Sequence, residues 1–113
     1  MEIETEVLQA PESSVIVAVK TDFLDASNSK DFLSTMKPIL DGHAKVLLDL
    51  EAINFIVSSG LGTLLACLRT MNGKEGELRL FGMNKTVQAL FELVRMHRLF
   101  PIYTTRDEAL ATL

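Results

Sequence analysis

The sequence predicts an α/β fold: one domain over residues 1–113, with a mixed, mostly parallel sheet of four to five strands and four helices. Two observations predict it. The apolar runs Val15-Ile16-Val17-Ala18-Val19 and Val46-Leu47-Leu48 read as strands covered on both faces, as in a parallel sheet. Between such runs, apolar residues recur at helical spacing, so strands alternate with helices and are joined by crossovers. The expected element order is β-β-α-β-α-β-α-β-α.

Each element has its own signal. In residues 2–9, Glu2, Glu4 and Glu6 alternate with Ile3 and Val7, which predicts an edge strand with one wet face. Pro11-Glu12-Ser13-Ser14 is a turn, and Val15–Val19 is the second strand. Asp25 is the expected cap of a first helix carrying the stripe Phe32, Leu33, Met36, Ile39 and Leu40, with Gly42 at its end. Residues 45–50 form an interior strand. Leu61, Leu64, Leu65, Leu68 and Met71 then predict a second helix starting close to Ser59 and closed by residues 72–76. Leu78–Gly82 is a strand. Asn84 is the expected cap of a third helix with Val87, Leu90, Phe91 and Val94. Residues 101–103 form a short strand. Thr105-Arg106-Asp107-Glu108 is a capping box opening a last helix through Ala109, Leu110 and Leu113.

Composition excludes several classes of function. With 48% hydrophobic and 23% charged residues, the chain is no disordered segment. A chain of 113 residues buries roughly two-thirds of its unfolded surface and needs no staple. Its one cysteine, Cys67, excludes an internal disulfide and a cysteine-rich zinc site, and its apolar surroundings in sequence predict a buried, inert thiol. A net charge of −4 and the absence of tryptophan argue against a nucleic-acid partner. The acidic start is unlike a signal peptide, and the apolar runs fall far short of the ~20 residues of a membrane helix. The expectation is a cytoplasmic protein without membrane insertion. Residues 1–51 hold ten acids against four lysines, and residues 52–113 hold five acids against seven bases. That asymmetry reads as a solvated acidic face or as a docking surface with a sign.

Enzyme motifs fail one by one. Gly73-Lys74 is followed by Glu75, so there is no phosphate loop. Gly60-Leu61-Gly62 lacks the third glycine of a dinucleotide fingerprint, with Leu65 in its place. Ser58 has Ile56, not glycine, two residues before it, so it is no nucleophile elbow. His43 and His97 read as helix-end or turn histidines rather than general bases. No His, Cys and carboxylate cluster has metal spacing. The expectation is a protein with no catalysis, metal or cofactor of its own.

One constellation remains. Ser58-Ser59-Gly60-Leu61-Gly62 falls at a strand-to-helix junction, where unpaired N–H groups and a partial positive charge gather. Two readings fit it: the serines cap the helix, or one of them carries a phosphate that the helix start tolerates. A phosphoserine there would add nearly two negative charges to an exposed surface without unfolding the domain.

The chain resembles the STAS domains of the bacterial anti-sigma factor antagonist family. The resemblance runs over nearly the whole sequence. It is carried by Phe23-Leu24-Asp25-Ala26, by Val46-Leu47-Leu48-Asp49-Leu50, and by Asn54-Phe55-Ile56-Val57-Ser58-Ser59-Gly60-Leu61-Gly62, which is similar to the signature F-x-D-S-S-G-L-G. Leu78–Met83, Leu99–Tyr103 and Glu108-Ala109-Leu110 resemble the family's C-terminal pattern. The resemblance implies a partner switch. The unmodified antagonist binds an anti-sigma factor that is also a serine kinase, and so frees a sigma factor. The kinase phosphorylates the first signature serine, which falls on Ser58. The phosphorylated form dissociates, and a PP2C-type phosphatase resets it. Two positions depart from the pattern: Val57 stands where the family usually has aspartate, and Asp22 where it often has glycine. On this reading the contact surface centres on Ile56, Val57, Ser58 and Ser59, with Gly60, Thr63, Arg69, Asp22 and Asp25 as further contacts. The stripe Leu61, Leu64, Leu65 and Leu68 is assigned to the core. Asp22 and Asp25 are expected near Ser58, so that phosphorylation would deepen a negative patch. Val57 motivates the alternative of a non-switching STAS scaffold in a lipid transporter or signalling complex.

Overall fold

The computed structural model describes residues 1–9 and 12–113. Five strands form the main sheet: β1 (Ile3–Leu8), β2 (Ser14–Val19), β4 (Lys45–Asp49), β6 (Glu77–Phe81) and β7 (Ile102–Tyr103), in the order β1-β2-β4-β6-β7. β1 runs antiparallel to β2 with Ile3 opposite Val19, and the other neighbours are parallel. Four helices follow the strands in turn: α1 (Ser29–Gly42), α2 (Ser58–Gly73), α3 (Lys85–Leu93) and α4 (Arg106–Leu110). The predicted class and order are therefore observed. Two features, three elements in all, escaped the sequence reading. One is a second, two-stranded parallel sheet of β3 (Phe23–Leu24) and β5 (Phe55–Ile56), and the other is a 3-10 turn at Met96–Arg98.

The strands divide their side chains between two faces, because successive residues point to opposite sides. Val15, Val17 and Val19 of β2, Val46 and Leu48 of β4, and Leu78 and Leu80 of β6 face one way. They pack against Phe32, Met36 and Leu40 of α1, Leu64, Cys67, Leu68 and Met71 of α2, and Val87 and Phe91 of α3. On the other face Ile16, Leu47 and Phe81 meet Ala109 of α4 in a smaller cluster. The interior strands are covered on both sides, which is why their sequences do not alternate. Arg79 is buried on this second side. Its guanidinium donates to the Ala109 carbonyl (2.7 Å) and the Thr112 hydroxyl (2.8 Å), and it pairs with Glu77 (3.1 Å). One buried cation thus ties the C-terminal helix to the middle of the sheet.

Two local expectations are corrected. Asp25 does not cap α1. Its carboxylate accepts from the Ser27 N–H (2.8 Å) and hydroxyl (2.5 Å) in a turn of its own, and the helix starts at Ser29 with Asn28 at the cap position. Gly42 does end α1, as expected, with no left-handed backbone there, and the chain leaves it through an extended His43. Val7 is not sheltered on the inner side of β1 but is 65% exposed, because it stands at the opposite end of the edge strand from Ile3, which does pack against the core. Of the expected turn at 11–14, Pro11 lies outside the described residues, and Ser14 already belongs to β2. The caps at Asn84 and Thr105 form as predicted: their side chains accept from Val87 N–H (2.8 Å) and Glu108 N–H (3.2 Å).

Candidate functional site

The small β3–β5 sheet builds the site. Phe23 pairs with Phe55 and Leu24 with Ile56, and the Val57 N–H donates to the Leu24 carbonyl (3.0 Å). Upstream, the Asn54 N–H donates to the Asp22 carbonyl (2.7 Å), and the Asn54 side-chain amide donates to the Asp22 carboxylate. The Asn84 amide reaches the carbonyls of Ile53 (3.3 Å) and Asn54 (3.4 Å) from the start of α3. The segment leading to Ser58 is therefore held along one edge by residues 22–24 and from a second side by Asn84. Asp22 lies just before β3, bonded to Asn54, and Asp25 just after it, in the turn that leads to α1.

Ser58 is exposed and is the first residue of α2; Val57, in extended geometry (φ −106°, ψ 177°), occupies the cap position. The capping reading of the serines is corrected: no side chain caps α2, and no acid stands in its first turn. The helix start keeps its unpaired N–H groups and partial positive charge. Gly60 explains how α2 comes so close to β3. A Cβ there would lie 2.6 Å from the Leu24 carbonyl oxygen, 2.7 Å from the Leu24 Cβ and 2.9 Å from Ile56 Cγ2. Gly62, one turn beyond Ser58, faces open space. The two glycines thus have different roles: the first closes the junction, and the second leaves the exposed face of the helix bare.

Not every expected contact residue reaches the surface. Ile56 (4% exposed), Gly60 and Thr63 (6%) are buried, and the Thr63 hydroxyl donates to the Gly60 carbonyl (2.7 Å). Ile56 points inward because β5 alternates, and Gly60 and Thr63 lie on the side of α2 turned to the sheet. They shape the surface from beneath. Asp22, Val57, Ser58 and Arg69 are exposed, and Asp25 and Ser59 are half-buried. Arg69 lies three turns along the helix stripe that starts at Ser58 and Gly62. The sequence reading missed Phe55, which is 44% exposed and stacks on Phe23 with ring centroids 5.6 Å apart and planes 13° from parallel. Phe23 follows Asp22 and Phe55 lies three residues before Ser58, and only the β3–β5 register brings the two rings together. Cys67 lies on the inward side of this helix, fully buried, with desolvation pushing its thiol up to about 12. Among the described residues, no three His, Cys, Asp or Glu side chains are grouped to hold a metal ion.

Comparison with known proteins gives a consistent picture. The family model for the STAS domain matches residues 3–109. The anti-sigma F factor antagonist of Paenibacillus polymyxa is 32% identical over 68 residues, which cover 60% of this chain and 58% of that protein. The crystal structure of an anti-sigma factor antagonist from Mycobacterium paratuberculosis superposes with a TM-score of 0.81 at 24% identity, covering 98% of this chain and 93% of that one. The anti-sigma factor antagonist SpoIIAA of Bacillus is similar at 18% identity in two structures. Its unphosphorylated form has a TM-score of 0.75, covering 98% of this chain and 95% of that one, and its phosphorylated form 0.68, covering 98% of each.

Proposed function

The chain belongs to the STAS domain family, and from that premise we propose that it is an anti-sigma factor antagonist whose docking is controlled by phosphorylation of Ser58. The observation that carries the reading is the placement of Ser58: exposed, first in α2, on a helix start that no side chain caps. A hydroxyl there is open to a kinase, and a phosphoryl group on it is favoured by the helix dipole. The existence of SpoIIAA in phosphorylated and unphosphorylated forms supports the same chemistry here. The partner is an anti-sigma factor that is itself a serine kinase. In the transfer, the Ser58 Oγ bonds to the γ-phosphorus of ATP held by the kinase. The bond from that phosphorus to the β,γ-bridging oxygen breaks, ADP leaves, and the hydroxyl proton passes to a base on the kinase. A PP2C-type phosphatase returns the serine by adding water across the ester bond, releasing inorganic phosphate. The domain itself binds and is modified; it catalyses nothing.

The test is incubation with each anti-sigma factor kinase of the source organism and ATP, followed by intact-mass measurement. A gain of one phosphoryl group that vanishes in Ser58→Ala is expected. The competing reading, a STAS scaffold that is never switched, rests on the uncharged Val57 beside the acceptor. It predicts no gain of mass with any kinase.

A further inference from the structure

The segment that carries Ser58 is not merely exposed; it is itself uncharged. From Ala52 through Leu68 the chain carries no ionisable side chain except the buried thiol of Cys67, in a protein 23% charged. Within that stretch Phe55 and Val57 stand 44% and 42% exposed on either side of the buried Ile56. Phe23 stacks beneath Phe55 and fixes its ring. Ser58 follows Val57 directly, and Gly62 leaves the next turn of the helix bare. The neighbouring acids are hydrogen-bonded: Asp25 accepts from Ser27 in its own turn, and Asp22 accepts from the Asn54 side-chain amide across from it. Exposed aromatic and aliphatic side chains on a rigid scaffold are what an interface buries at its centre.

We propose that the partner receives Phe55 and Val57 in an apolar pocket that closes over Ser58, and that phosphorylation expels the partner by desolvation rather than by charge repulsion. This rests on the antagonist reading and deepens it. Charge complementarity sets the partner's chemistry: an uncharged apolar patch is matched by an uncharged apolar pocket, because a charge buried against it would lose its hydration and gain no counter-charge. The unmodified serine hydroxyl is cheap to dehydrate. A phosphoryl group of nearly two charges is not, and it sits where the pocket closes. Val57 is then a specificity residue: it fits an apolar pocket and rejects a partner built to pair with a charge at this position.

The experiment takes a kinase of the source organism that binds the unmodified protein and measures affinity by calorimetry for wild type, Val57→Ala, Val57→Asn and enzymatically phosphorylated protein. Each titration is run at about 0.05 M and about 1 M salt, between which the screening length falls from over 10 Å to about 3 Å. Val57→Ala is expected to weaken binding about tenfold, for the two buried carbons lost, and Val57→Asn by more. Asparagine is a better cap than valine, so the melting temperature of Val57→Asn rises while its affinity falls. A loss of fold would move both the same way. The penalty of phosphorylation is expected to persist at high salt, with the modified form still on the order of 100-fold weaker. Wild-type affinity in Val57→Asn, or a phosphorylation penalty that shrinks to about threefold or less at high salt, overturns the inference while leaving the antagonist reading standing. Binding to no anti-sigma factor kinase overturns both.

Discussion

Gly60 and Gly62 are separated by one residue and make opposite predictions. A methyl group at Gly60 has nowhere to go, because the nearest atom is the Leu24 backbone carbonyl at 2.6 Å. Gly60→Ala is expected to lose about 1–3 kcal/mol as α2 is pushed off β3. Gly62→Ala meets nothing within 4 Å and is expected to gain up to about 1 kcal/mol from helix propensity. Urea unfolding of both variants checks the pair, and equal effects would contradict the packing described here. Cys67 carries a prediction in pH. Its thiol is pushed up from 9.0 to about 12 by burial, so the folded protein keeps the proton that the unfolded chain gives up. The thiol's contribution to stability is therefore whole below about pH 9 and is lost as pH rises toward 12. Relative to Cys67→Ala, wild type should lose on the order of 1 kcal/mol for each pH unit above 9, read from urea midpoints. A difference that is flat with pH would contradict the burial of the thiol.

Between elements, the contacts that matter most come from residues with no motif. α1 ends without a glycine cap, and Lys74, just after α2, takes over that role. Its ammonium donates to the carbonyls of Leu40 (2.6 Å), His43 (2.9 Å) and Asp41 (3.2 Å). Lys74→Met should cost about 1 kcal/mol, and hydrogen exchange should quicken at the last turn of α1 before it does elsewhere. Unchanged exchange there would remove Lys74 as a cap. The elements themselves were legible where the pattern was long: the stripe from Phe32 to Leu40 and that from Leu61 to Met71 each span two or more turns. The strands β3 and β5 were not legible, since two residues are too few to show a period. Asp25 misled because the same side chain serves equally to cap a helix or to close a turn, and only the neighbours decide. The site shows the same division. Ser58 stood out by its motif, whereas Ile56, Gly60 and Thr63 belong to the same stretch but face inward, which the sequence marks only through the register of β5 and the phase of α2.

At the scale of the molecule, a sheet covered on one face by three helices leaves the junction of β5 and α2 at the surface, held by β3 and by Asn84. Nothing in this arrangement has to move for a phosphoryl group to be added, so the proposed switch would change the surface on a fixed fold. The uneven charge of the chain leaves the segment that carries Ser58 neutral: from Ala52 to Leu68 it holds no charged side chain, and Arg69 is the first beyond it. The most direct test of the account is the affinity of one anti-sigma factor kinase for this protein with Ser58 unmodified and with Ser58 fully phosphorylated, by calorimetry under the same conditions. The account predicts tight binding of the first form and a loss on the order of 100-fold or more for the second. Equal affinity for the two forms would contradict it.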